Sequence, residues 1–102
     1  MEHVVVDLPM SAAHPAFAGH FPGRPIVPGV TLLAEVIEAV LADAGLQAMV
    51  GAAPRLGVVK FVAPVGPDGI LAVRFEATAT ALRFEVTDRG RPAASGLFER
   101  IA

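Results

Sequence analysis

The chain has 102 residues, a length that supports one domain over residues 1–102 and not two. It is 54% hydrophobic and 18% charged, with mean hydropathy +0.60, which is apolar for a small chain with much surface for its volume; some of that surface is expected to lie against a partner, most economically a second copy. The net charge is -2 and the eight basic residues are scattered from Arg24 to Arg100, so no nucleic-acid footprint is visible, and the absence of cysteine excludes disulfides and Cys-ligated metal and suits a reducing cytoplasm.

Met1-Glu2-His3 starts acidic and leads straight into a strand-like run, so no signal peptide is expected. Residues 2–8 read as a valine-rich strand. Residues 9–27 form a long connection containing Pro15, Pro22 and Pro25. A loop of this length in a small domain is usually functional or disordered; Phe17, Phe21 and Ile26 give it apolar anchors, and it is expected to be ordered.

Residues 30–44 read as a helix. Taken at about 100° per residue, Val30, Leu32, Leu33, Val36, Ile37, Val40 and Leu41 spread over much more than half the circumference, while Thr31, Glu35 and Glu38 fall in one narrow stripe. A helix apolar nearly all round is expected to be buried. Gly45 marks its stop, and Ala39, Ala42 and Ala44 permit close packing on a sheet. Residues 26–50 are the most apolar window, but Glu35, Glu38 and Asp43 interrupt it, so no membrane span is expected.

After a loop around residues 49–54 come four strand-like runs. Residues 55–62 carry Leu56, Val58, Val59, Phe61 and Val62; Pro64 and Gly66-Pro67-Asp68-Gly69 mark a turn. In residues 70–77 and 80–87, Leu71, Val73, Phe75, Leu82, Phe84 and Val86 alternate with smaller or charged residues, the period of a sheet with one covered face. Asp88-Arg89-Gly90 signals a hairpin before a last strand over 92–101. Strand, long loop, one helix and an antiparallel meander make an α+β domain.

The stretch with chemistry in it is Gly19-His20-Phe21-Pro22-Gly23-Arg24-Pro25-Ile26-Val27-Pro28-Gly29-Val30. Three prolines and three glycines stiffen it, so His20 is held at a set place and angle. Pro28-Gly29 then opens the helix, whose first-turn N–H groups and partial positive charge suit an oxygen that gains negative charge. A fixed imidazole beside a helix N-terminus is a layout for proton transfer next to a carbonyl.

These twelve residues resemble the signature of the bacterial 3-hydroxyacyl-[acyl-carrier-protein] dehydratases, and especially the short dehydratase-like members found with aryl-polyene and related polyketide systems. Val59-Lys60-Phe61, Pro64-Val65, Pro67-Asp68 and Leu71 extend the resemblance loosely toward the C-terminus. It implies the hotdog fold, a curved antiparallel sheet wrapped around one central helix. It also implies dehydration of a 3-hydroxyacyl thioester to the trans-2-enoyl thioester in fatty-acid or polyketide-type synthesis, without metal or organic cofactor. The family's catalytic histidine maps onto His20, and the glycine whose N–H meets the thioester carbonyl maps onto Gly29. Phe21, Pro28 and Val30 become expected substrate-binding residues. Arg24 is either a solvated loop residue, the commoner case, or a contact to an acidic carrier protein or pantetheine phosphate. The family completes its site across a dimer, so a homodimer or dimer-based oligomer is implied, with acyl carrier protein as a possible partner.

The family also has an Asp or Glu on the helix, fourteen residues after the histidine, that protonates the leaving hydroxyl. Here that position is Ala34. Glu35 is one residue late, turned by about 100°, and Glu38 lies on nearly the same face about 6 Å further along. Loss of a general acid costs on the order of 10²–10⁴ in rate. Glu35 and Glu38 are therefore read either as stand-in acids or as the wet stripe of the helix. Three functions follow: a dehydratase with an altered acid, a non-catalytic subunit that binds acyl thioesters or a carrier protein, and, ranked last, a hotdog thioesterase. His3 and His14 are read as ordinary residues and no metal site is expected.

Overall fold

The computed structural model describes residues 3–7, 29–66 and 70–101. In chain order these form β1 (His3–Asp7), α1 (Gly29–Ala42), α2 (Ala44–Val50), β2 (Leu56–Phe61), β3 (Leu71–Ala77), β4 (Ala81–Asp88) and β5 (Arg91–Glu99). The strands make one five-stranded sheet in the order β1-β3-β4-β5-β2, with every neighbouring pair antiparallel. The two helices and one face of the sheet enclose a single core.

The alternation in β3 and β4 sorts their side chains as expected. Val73 stands opposite Val86 and Phe75 opposite Phe84, all buried, while the intervening positions oppose Arg74 to Glu85 and Glu76 to Arg83 on the outer face. Apolar pairs and opposite charges across a strand pair both favour this register, and a slip of one residue would invert every side chain. Asp88-Arg89-Gly90 makes the β4–β5 turn. Arg89 has φ 52° and Gly90 φ 83°, the left-handed pair of a tight hairpin. The Asp88 carboxylate accepts from the Ile70 N–H at 3.0 Å, tying the start of β3 to the end of β4.

On β5, Gly96 faces Phe84. A Cβ there would stand 2.7 Å from Phe84 Cζ and 3.0 Å from the Val58 carbonyl oxygen. The missing side chain lets the Phe84 ring lie across the strand, where it meets Phe98 at a centroid distance of 5.3 Å. β2 pairs with β5 and takes three steps from Leu56 to Val59 while β5 takes two, a bulge that breaks strict alternation. Leu56 and Val59 therefore pack on the core, while Val58 is 70% exposed.

The helical region differs from its expected form in three respects. The helix does not stop at Gly45. α1 ends at Ala42, and Asp43 accepts from the Leu46 N–H at 3.0 Å, capping a second helix in which Gly45 lies in the first turn. A glycine inside a helix costs about 1 kcal/mol relative to alanine. Burying Leu46 and Val50, at about 1.5–3 kcal/mol each, outweighs it. The loop expected around residues 49–54 begins only at Gly51, whose φ of 82° ends α2 and whose N–H donates to the Gln47 carbonyl at 2.7 Å.

The third difference concerns burial. Only one row of α1, Leu32, Val36 and Val40, is buried. Val30 is 77% and Leu41 37% exposed, and Ala42 and Ala44 face outward instead of packing on the sheet. Leu33 and Ile37 are half-buried against the core, and among the described residues nothing covers Val30 and little covers Leu41. Among the described residues no helix is long and apolar enough to cross a membrane.

Candidate active site

α1 begins at Gly29, next to the exposed end of β2. Between them lies a cleft of about 410 Å³, lined by Gly29, Leu32, Phe61 and residues 62–65. Apart from the backbone its walls are apolar: Leu32 and Val65 reach it from the core, and Phe61, Val62 and Pro64 from its outer side. The first turn of α1 contains no acidic residue, so no carboxylate there competes for its free N–H groups. An apolar cleft ending at a helix N-terminus has room for an acyl chain and donors for its carbonyl oxygen.

The cleft is built by β2. The Phe61 backbone is in register with buried Ala94, and the next two N–H groups, of Val62 and Ala63, both donate to the Ala93 carbonyl at 2.8 and 3.2 Å. This holds residues 61–63 beside the helix start. The Phe61 ring then reaches α1, where a Cβ on Gly29 would stand 2.7 Å from Cζ. A side chain at 29 would have to displace the tip of the Phe61 ring; no positive φ is involved.

Of the residues the sequence singles out, Gly29 lines the cleft, and Val30 beside it is largely exposed. Ala34 and Glu38 are exposed, one turn apart on the outward side of α1 that starts with Val30. Glu35 is half-buried, as is Thr31 one turn before it. Neither Glu35 nor Glu38 lines the cleft within this one chain. His20, Phe21, Arg24 and Pro28 lie outside the described residues, as do His3's side chain and His14. Leu32, Phe61 and residues 62–65 are lining residues that strand and helix patterning alone did not mark. A large aromatic closing a strand three residues before Pro64 was the available signal for Phe61.

A second hollow, of about 300 Å³, lies on the outer face of the sheet. Its Arg74, Glu76, Arg83 and Glu85 alternate in sign, Arg74 opposite Glu85 and Glu76 opposite Arg83 across β3 and β4. Among the described residues no three His, Cys, Asp or Glu side chains come together to hold a metal.

An antiparallel five-stranded sheet with its helix laid across one face is the hotdog fold. The family model of the ApeI-like proteins, described as ApeI dehydratase, matches residues 1–97, and the chain belongs to that family. It is 42% identical over 77 residues to the 3-hydroxyacyl-[acyl-carrier-protein] dehydratase FabZ of Chloroflexus aggregans, a match that takes in 76% of this chain and 49% of the relative. The chain thus spans about half the length of that curated relative. Two solved structures share the fold. One is the dehydratase heterocomplex ApeI:P from Xenorhabdus doucetiae, with TM-score 0.73, 21% identity, and 96% of this chain against 86% of that one. The other is an uncharacterized protein from Erwinia carotovora subsp. atroseptica, with TM-score 0.68, 24% identity, and 96% against 80%.

Proposed function

We propose that this protein converts 3-hydroxyacyl thioesters, carried on acyl carrier protein, to trans-2-enoyl thioesters and water. The observation that carries the reading is Gly29 opening α1 onto an apolar cleft, in a chain of the dehydratase family. A proton α to a thioester is weakly acidic and needs a nearby base, a role we assign to His20. The charge that gathers on the carbonyl oxygen is met by the Gly29 N–H and the helix terminus behind it. The electron pair left by the α proton forms the Cα–Cβ double bond as the bond from Cβ to the hydroxyl breaks. The hydroxyl departs as water with a proton from an acid.

For that acid we assign Glu38, which shares the exposed side of α1 with Ala34 and lies one turn further on. Glu35, half-buried and turned toward Thr31's side, is the other candidate. Because neither carboxylate lines the cleft of its own chain, Glu38 serves the cleft of a second subunit. Val30, Val58 and Val62, all more than half exposed, supply apolar surface for that subunit along β2 and the start of α1. We take it to be a second copy of this chain.

The test is turnover of 3-hydroxyacyl carrier-protein thioesters over several chain lengths. Wild type is active, His20→Ala is not, and Glu38→Gln loses on the order of 10²–10⁴ in rate. Equal inertness of wild type and His20→Ala overturns the reading.

Ala34 favours a second reading, a binding subunit without chemistry, and the solved Xenorhabdus heterocomplex is a precedent for unlike subunits. In that case the protein binds the thioester without turnover, Ala34→Glu gains activity, and light scattering finds the assembly only with a different subunit present.

A further inference from the structure

We infer that Phe61 is a positioning residue: its ring sets where the Gly29 N–H stands at the head of the cleft. The inference rests on the reading of Gly29 as the carbonyl donor. Its evidence is a contact that neither strand pairing nor core packing requires. Phe61 is 55% exposed, so the ring is not held in place by burial in the core. Its backbone is nonetheless pinned, by pairing with Ala94 and by the two N–H groups that follow it on the Ala93 carbonyl.

The far end of the ring meets the first residue of α1. A Cβ on Gly29 would lie 2.7, 3.0 and 3.2 Å from Cζ, Cε1 and Cε2, all shorter than the roughly 3.5–4.0 Å at which carbon atoms pack. Among the described residues, the three nearest atoms at this point all belong to the tip of this one ring. The ring therefore acts as a strut between the end of β2 and the helix start. Its length sets the gap between them.

That gap matters because a donor stabilises a developing oxyanion only if it is already in place, and an error of about 1 Å can cost on the order of 10²-fold in rate. A shorter side chain at 61 leaves the first turn of α1 unsupported on its cleft side. The same geometry explains the glycine: the ring occupies the space a side chain at 29 would need.

Infrared spectroscopy of a saturated acyl-pantetheine carrying a ¹³C-labelled carbonyl tests this directly. The probe has no 3-hydroxyl and cannot be dehydrated, so the reading does not depend on turnover. Bound to wild type, its carbonyl band moves to lower frequency through the Gly29 N–H. In Phe61→Leu the displacement of the bound band is lost or at least halved. An undiminished displacement in Phe61→Leu, whatever happens to affinity, makes Phe61 a mere wall of the cleft and overturns the inference.

A thermal-denaturation cycle guards against misfolding. Gly29→Ala lowers Tm by about 4 °C or more in the wild-type background. In Phe61→Leu it lowers Tm much less, because the blocking ring tip is gone. Additive losses overturn the inference. A wild type that is inert in turnover but retains the carbonyl displacement removes the dehydratase reading and leaves the role of Phe61 standing.

Discussion

The centre of the sheet and its β2 edge are built from the same residue types and end in opposite environments. Val73, Phe75, Phe84 and Val86 in β3 and β4 are at most 3% exposed, whereas Val58, Phe61 and Val62 at the edge are 55% exposed or more. The centre is finished within one chain: Val73 pairs with Val86 and Phe75 with Phe84, and all four share a core with Leu32, Val36 and Val40 of α1. The edge has a pairing strand on one side only, and its bulge turns side chains away from the regular pattern. An unfinished apolar edge beside a helix start is where this fold keeps its cleft.

Substitutions that ask the same question of both regions sharpen that contrast. The largest loss is expected at the centre, where Phe75→Ala empties a fully buried ring and costs about 3–5 kcal/mol in urea unfolding. Val86→Ala, also fully buried, is expected to cost about 2 kcal/mol by the same measurement. At the junction of the helices, Asp43→Ala removes the carboxylate that accepts from Leu46 and costs about 1 kcal/mol, with a loss of helical circular dichroism confined to a single short segment. The smallest effect is expected at the edge. Val58→Ala, the substitution made at Val86, changes unfolding by less than about 0.5 kcal/mol at high dilution. Should Val58→Ala cost as much as Val86→Ala, and more so as protein concentration rises, the edge is covered by another subunit under those conditions.

The sheet was legible because its signals are local. Alternation along residues 71–77 and 81–88 needs only the period of a strand, and Arg89-Gly90 needs only the backbone conformations a tight turn demands. The helices were half legible. Asp43, three residues before Leu46, is a capping signal in plain view, but Gly45 between them reads equally well as a stop. Which reading holds depends on whether Leu46 and Val50 find a core to enter, and that core is supplied by strands distant in the chain.

The site divides the same way. The twelve residues from Gly19 to Val30 point to the dehydratase family without coordinates, because the histidine, prolines and glycines of the motif are written in consecutive residues. Phe61 against Gly29 was invisible, since the two are separated by both helices and meet only when β2 pairs with β5. Nor does periodicity divide the apolar arc of α1 into the row that enters this chain's core and the row left facing outward; every residue of the arc has the same preference for leaving water. The residues alone thus determined the strands, the hairpin, the helix start and the family. Tertiary structure decided the second helix, the exposed side of the first and the ring that closes on its opening glycine, because each depends on which distant surface arrives to cover it.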